Sequence, residues 1–253
     1  MRKLLALLTA FCFLSSPVYC AIDFDGTDDA ITFGVDDAVM RENQAVTISA
    51  WVYPRSTGGG GLGSIVTRNG VGDVRLKLDN LGGGSVAAGF LIVGVTVLNR
   101  VTVNGSVVLN RWQHILVTHD GSTTASNCHI YINGVEPAYI TTTNGVTPTD
   151  NSTGAIRIGS TSTTTRVFDG LISEVAVWDS VLPFNDIRKL SAPVRRTPMQ
   201  ITPQPKRYYP LDDFGSGYLN TVSGAIKNRI VGVNDNGTQS GGAVGVGDMI
   251  AYP

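Results

Sequence analysis

The chain is poor in the residues that build helices and in those that carry acid–base or metal chemistry. Its 253 residues include three Glu and five Lys. Long helices draw on such straight-chain residues, so their scarcity argues against a helical bundle. The three Glu, at positions 42, 136 and 174, lie far apart in the chain. No pair of them shares a strand in the way a retaining glycosidase needs its two carboxyls. The three His, at 114, 119 and 129, lack the spacing of a His-Glu-x-x-His metal motif. His114 and His119 have opposite parity, so on one strand they face opposite sides. No Gly-x-Ser-x-Gly nucleophile elbow occurs. Charge of one sign is lacking too, with 19 Lys+Arg against 20 Asp+Glu. That balance leaves no basic footprint for nucleic acid. No internal segment suits a membrane span: residues 86–98 are apolar but short, and Gly89 and Gly94 interrupt them.

Cysteine is scarce as well, at 12, 20 and 128. The first two fall in a segment that reads as a secretory signal peptide. Arg2 and Lys3 precede an apolar run from Leu4 to Leu14, and Ser15, Ser16 and Pro17 break it. Val18 and Cys20 place the cut before Ala21. A lipoprotein cut before Cys20 is the rival, disfavoured by bulky Tyr19. With the cut before Ala21 the protein is expected to be secreted, extracellular or periplasmic. Cys128 is then alone, no internal disulfide can form, and the core must carry the stability.

What is abundant is β-branched and turn-forming: 29 Val, 17 Ile, 25 Thr and 30 Gly. The dominant hydrophobic period is two. In Val46-Thr47-Ile48-Ser49-Ala50-Trp51-Val52-Tyr53, aliphatics and Ala share one face, while Thr, Ser and the aromatics share the other. Similar strands are predicted at 30–33, 64–67, 74–78, 89–93, 96–103, 114–119, 128–132, 155–158 and 171–178. Asn-Gly and Asp-Gly pairs at 25, 69, 104, 120, 133, 144 and 169 supply hairpin turns between them. Many short strands so punctuated indicate an all-β sandwich or barrel. One short helix is predicted over 183–190, with Ser180 as an upstream cap. Residues 191–205 contain Pro193, Pro198, Pro203 and Pro205 and read as an extended connector. A Gly-rich segment, 206–253, follows it.

Six pieces of the chain, in order, resemble the laminin-G-like, concanavalin A-like jelly-roll domains. They are Asp23-Phe24-Asp25-Gly26-Thr27-Asp28-Asp29-Ala30-Ile31, Val46 through Pro54, Asn110 through Thr118, Ile130-Tyr131-Ile132-Asn133-Gly134-Val135, Ile156-Arg157-Ile158-Gly159-Ser160, and Phe168-Asp169-Gly170-Leu171-Ile172-Ser173-Glu174-Val175. The resemblance covers roughly 23–190 and implies an antiparallel jelly-roll β-sandwich of two sheets. Folds of this kind host lectins, adhesion modules, hydrolases and spacers, so the resemblance fixes the fold more than the activity. It also implies an opening strand of Tyr-Tyr-Pro-Leu-Asp type ahead of Phe24-Asp25-Gly26. Here that motif stands late, as Tyr208-Tyr209-Pro210-Leu211-Asp212. Residues 21–253 are therefore expected to form a single domain that 206–253 completes, as in a circular permutation, with Tyr209 and Leu211 buried. The other reading of that segment is the stub of a second repeat.

For chemistry, the resemblance implies a calcium ion between the acidic turn and the Asp-Gly-x-Ile-x-Glu strand, which nominates Asp25, Asp28 and Glu174. Ser173 stands where the family usually has Asp. A solvated turn, its Asp side chains capping backbone N–H groups, is the other reading. A sugar site needs an aromatic platform beside polar groups, and Tyr53, Tyr131 and Trp178 are the candidates. Trp51 and Trp112 read as packing residues, and the Thr-rich stretches 141–143 and 160–165 as loops, either soluble filler or the rim of a groove. The expected function is an exported, non-catalytic module binding carbohydrate. The alternatives are a structural or adhesion module contacting protein at a cell envelope or virion, and an unusual glycosidase.

Overall fold

The structure, a computed structural model, describes residues 21–33, 39–70, 73–82, 84–146, 154–161, 166–192 and 196–211, with strand segments at 219–220, 225–226, 237–240 and 244–246. The signal-peptide segment 1–20, residues 162–165 of the second Thr-rich stretch and residues 193–195 of the connector lie outside the described residues.

The chain alternates strands and tight turns. In order they are β1 (Ala21–Asp25), β2 (Ala30–Thr32), β3 (Val46–Pro54), β4 (Ser64–Gly70), β5 (Val74–Asn80), β6 (Val86–Ile92), β7 (Leu98–Thr102), β8 (Gln113–His119) and β9 (His129–Ile132). Next come β10 (Tyr139–Thr143), β11 (Gly154–Ile158), β12 (Asp169–Trp178), helix α1 (Phe184–Ser191) and β13 (Arg207–Tyr209). The last four strands are β14 (Leu219–Asn220), β15 (Ala225–Ile226), β16 (Gly237–Ser240) and β17 (Val244–Val246). Two antiparallel sheets form. One runs β17-β1-β12-β3-β8-β9, with β13 also paired to β12; the other runs β10-β7-β6-β5-β4-β11-β2-β16-β15-β14. The first has seven strands and the second ten. The Asn133-Gly134 turn shows how sequence sets a hairpin. Both residues take positive φ, 51° and 75°, which Asn and Gly tolerate and which matches the strand twist on either side.

The core lies between the sheets. Ile22, Phe24, Ile48, Val52, Ile115 and Val117 from the seven-stranded sheet meet Ile65, Leu76, Leu78, Phe90, Ile156 and Ile158 from the other. Each such side chain contributes about 1.5–3 kcal/mol through its removal from water. His119 is buried on this inner side against Phe90, and His114 packs on Trp51 of the opposite face, as their parity requires.

The late segment joins both sheets. β13 pairs with Val175–Val177 of β12, beyond the stretch from Asp169 to Ile172 that pairs with β1. β17 pairs with β1, and β16 pairs with β2. Tyr209 and Leu211 are buried in the main core, and the Tyr209 ring stacks on Phe33 at 3.8 Å between centroids.

The helix and the connector cover the outer side of the seven-stranded sheet. Ile187, Leu190 and Ile201 pack there with Leu116, Ala176, Trp178 and Tyr208. Three local expectations need correction. The helix starts after Pro183 with no side-chain cap; the Ser180 carbonyl instead accepts the Thr47 hydroxyl at 2.6 Å. The connector is not wholly extended, because Thr197 and Gln200 form a capping box around a 3-10 turn at Pro198–Gln200. Residues 141–143 are not a loop but part of strand β10, in keeping with the β preference of consecutive Thr.

Candidate functional site

The acidic turn follows β1. Asp25, Asp28 and Asp29 each place a carboxylate oxygen within 4.8 Å of the others. Local hydrogen bonds shape the turn: Asp29 Oδ2 accepts the Asp25 N–H at 2.7 Å, and Asp25 Oδ1 accepts the Thr27 N–H at 2.8 Å. Glycine is needed at 26, where φ is 80° and a Cβ would come within 3.0 Å of the Asp169 side chain. Beside the turn, Arg55, the residue after β3, grips three neighbours. It donates to both carboxylate oxygens of Asp23, to Asp169 Oδ1 at 3.0 Å and to the Phe24 carbonyl at 2.8 Å. Hydrogen bonding to Asp23 holds its pKa well above the ordinary value, against the cost of partial burial and with help from Asp169. Asp23 and Asp169 are thus committed to Arg55, and Asp25, Asp28 and Asp29 remain as a donor set. Three carboxylates at that spacing fit a hard divalent cation such as calcium, whose six to eight oxygen ligands are completed by carbonyls and water.

Glu174 does not join them. Asp25 lies opposite Asp169, five positions before Glu174, or about 16 Å along the strand. Glu174 sits at a β-bulge with φ of 54°, and its Oε2 accepts the Tyr208 hydroxyl at 2.7 Å. The bulge turns this side chain away from the regular pleat, and Asp29 stands in its place at the turn.

The predicted aromatic platform is not one surface. Tyr53, Tyr131 and Trp178 all project from the outer side of the seven-stranded sheet, the side that the helix and connector cover. Trp178 is 0 % exposed, and its Nε1 donates to the Pro203 carbonyl at 2.9 Å. It is a packing residue with no face for a sugar. Tyr53 is half-buried against Trp112, and Tyr131 is half-buried against Phe184 of the helix. Trp51 and Trp112 are both buried, in one small cluster. Beneath the same cover, Ser49 Oγ and His114 Nε2 are 2.8 Å apart. That distance suits an activated nucleophile, but both residues are 1 % exposed, so a substrate carbonyl has no approach to the hydroxyl.

The outer side of the ten-stranded sheet is different in kind. On β5, Val74, Leu76 and Leu78 fill the core, so Arg75, Lys77 and Asp79 project outward. The register aligns Thr32, Arg157, Thr67, Arg75, Leu91 and Asn99 in one row across β2, β11, β4, β5, β6 and β7. A second row holds Ser64, Lys77, Gly89 and Val101. Neighbours within a row are about 4.8 Å apart. Arg75 Nη2 donates to Asp73 at 2.5 Å, and Lys77 donates to Asp79 in a close pair. Gly89 leaves room for that pair, since a Cβ there would lie 3.3 Å from both side chains.

This face carries buried polar atoms that no described residue meets. They are Ser64 Oγ, Thr67 Oγ1, Arg75 Nε and Nη1, Asn99 Oδ1 and Arg157 Nε. Ser64 and Thr67 are 0 % exposed and Arg75 is 3 % exposed. Folded proteins leave few such groups, because each costs about 1–3 kcal/mol. Burial pushes the pKa values of Arg75 and Lys77 down, opposed by Asp73 and Asp79 respectively and reinforced by the nearby charge of Arg166. The only mark of this face in the sequence is the strict alternation of charge and aliphatic along Val74-Arg75-Leu76-Lys77-Leu78-Asp79, which also fits a solvated strand.

The fold has wide company among solved structures. A protein of Bacteroides ovatus ATCC 8483, provisionally assigned as carbohydrate-binding, superposes with a TM-score of 0.58 at 20% identity, over 91% of this chain and 60% of that one. This chain therefore spans less than two thirds of that protein's length. The heptameric SAP-like pentraxin of Limulus polyphemus superposes at 0.54 with 15% identity, over 71% of this chain and 85% of that one. Tailspike protein 2 of the Escherichia coli O157:H7 bacteriophage CAB120 superposes at 0.50 with 12% identity, over 78% and 30% respectively. At such identities the likeness is one of fold. No curated protein matches the chain. A laminin G family model matches residues 25–188, and the chain accordingly belongs to the concanavalin A-like lectin/glucanase superfamily.

Proposed function

We propose that the chain is an exported, non-catalytic module that binds carbohydrate on the outer face of its ten-stranded sheet. One observation carries this reading: donors and acceptors on β11, β4, β5 and β7 of that face are buried without a partner among the described residues. Sugar hydroxyls both donate and accept, so a row of such groups suits them. The description of the Bacteroides ovatus protein as carbohydrate-binding points the same way. The carboxylates nearest this face, Asp73 and Asp79, are each held by a cation, which suits binding better than proton transfer. A glycan array probed with the wild type and with Thr67→Val tests the reading. Binding that the variant loses supports it; no glycan retained by either protein contradicts it.

Calcium at Asp25, Asp28 and Asp29 accompanies this reading and would fix the turn that follows β1. At free calcium one hundred times Kd the ion stabilises the fold by about 2.7 kcal/mol. In a domain of this size that raises Tm by roughly 5–10 °C. Asp28→Ala should abolish the rise, whereas Glu174→Gln should keep it. A Tm indifferent to EDTA and to millimolar calcium would leave the turn a solvated one. Export rests on residues 1–20, and N-terminal sequencing that begins at Ala21 supports a free exported chain, whereas a lipidated Cys20 would make it an exported chain anchored to a membrane. The segment 206–253 is read as completing a single domain, because its strands pair with β1, β2 and β12.

A further inference from the structure

We propose that the outer face of the ten-stranded sheet receives the anionic group, a carboxylate or a sulfate ester, of an acidic glycan. Arg75 and Arg157 are its donors, and Lys77 and Arg166 are the surrounding positive charge. The inference rests on the carbohydrate reading above and adds the class of sugar.

The balance of charge on this face carries the argument. Among the described residues, Arg75, Lys77, Arg157 and Arg166 stand against Asp73 and Asp79. Both carboxylates are occupied, Asp73 by Arg75 at 2.5 Å and Asp79 by Lys77. Arg157 and Arg166 have no ion-pair partner among the described residues. Arg157 lies in the same cross-strand row as Arg75, with Thr67 between them. Their two Nε–H donors and Arg75 Nη1 are buried on one side of the sheet with no acceptor among the described residues.

Guanidinium groups so arranged match the flat, multidentate shape of a carboxylate or sulfate. The local energetics favour the same occupant. Burial works against the charged forms of Arg75 and Lys77, and Arg166 adds repulsion to both. An anion among the four cations reduces both costs, whereas a neutral hydroxyl offers an acceptor without a charge. Acceptors and hydroxyls at the edge of the cluster, Ser64, Thr67 and Asn99, serve the neutral part of the same sugar.

The test is isothermal titration of the full mature chain with polygalacturonate, heparin, dextran and laminarin. The first carries carboxylates, the second mainly sulfates, and the last two no charge. The inference expects polygalacturonate or heparin to bind and the neutral polymers to bind at least about tenfold more weakly. It expects the affinity for the acidic polymer to fall with added salt. Arg157→Gln and Arg166→Gln, at half-buried positions, should each weaken it at least about fivefold with Tm unchanged. Binding of polygalacturonate alone assigns a carboxylate, and binding of heparin alone a sulfate. Neutral polymers bound as tightly as acidic ones, with neither Arg variant affected, would overturn the inference and leave the carbohydrate reading standing. Acidic polymers bound equally by wild type and both variants would overturn it as well. No binding by any of the four would overturn the inference here, and silence across the glycan array would remove the reading beneath it.

Discussion

The outward residues of the two sheets are treated in opposite ways. On the seven-stranded sheet, Leu116, Ala176, Trp178 and Tyr208 disappear beneath α1 and the connector. On the ten-stranded sheet, Thr67, Arg75 and Lys77 are buried yet polar, and several of their atoms meet no partner among the described residues. The first arrangement stabilises the fold through apolar area removed from water. The second works against it, because an unmet buried donor or acceptor costs free energy. The contrast separates the two jobs of the sandwich: one outer face is extra core, and the other is kept polar at the expense of stability. Sites that recognise ligands often carry such a local cost.

Removing the cover is the hardest blow to this comparison. A chain ending at Thr197 loses Ile201, Tyr208, Tyr209 and Leu211, which pack on the seven-stranded sheet and in the main core. It should be insoluble or melt without cooperativity. A fragment 21–197 that melts like the whole chain would show that neither the core nor the covered face needs the late segment.

A single deletion on the covered face comes next. Trp178→Ala should cost about 3–5 kcal/mol in urea denaturation, through lost transfer free energy and the cavity left behind. A loss below 1 kcal/mol, small for a fully buried Trp, would mean that the cover re-forms without it, and the face would cease to be core.

Between the faces, acid should act on the core itself. Burial lowers the pKa of His119 below its ordinary 6.5, and its Nδ1 accepts the Gly121 N–H at 3.2 Å. The unfolded chain then binds a proton that the folded chain refuses. Stability is therefore full above about pH 6.5 and falls as pH drops below it, by up to about 1.4 kcal/mol per unit. Urea midpoints from pH 7.5 to 5.5 should show that slope in the wild type and lose it in His119→Gln. A slope unchanged in the variant would place the titrating group elsewhere.

Much of the fold is legible in the sequence because strands and turns are local. Ile48, Ala50 and Val52 declare the inner face of β3 by parity, and Asn133-Gly134 declares its hairpin. The short helix is readable from Ile187 and Leu190, both of which it buries. What parity leaves open is which outer face the rest of the chain will cover. In the sequence Tyr53, Tyr131 and Trp178 read as a platform because outward aromatics beside polar residues suit sugars. The helix that hides Trp178 lies outside its own strand, so no local pattern reports it. The sequence leaves the place of Glu174 open for a related reason: a bulge and a register with β1 are pairwise properties of two strands. Arg75 and Lys77 were visible, but alternating charge and aliphatic also describes any solvated strand. Only the pairing that brings Thr67, Arg75 and Arg157 into one row sets those residues side by side.

The central claim is that Thr67 and its neighbours serve a ligand and not the fold. Thr67→Val tests it most directly, because the substitution keeps the shape and removes the one atom in question. The Oγ1 of Thr67 is buried without a hydrogen-bond partner among the described residues, so its removal should leave Tm unchanged or raise stability by up to about 1 kcal/mol. Titration of the glycan that the wild type binds should show affinity reduced at least about fivefold in the same variant. A lower Tm with affinity intact would contradict the account, for the hydroxyl would then belong to the fold.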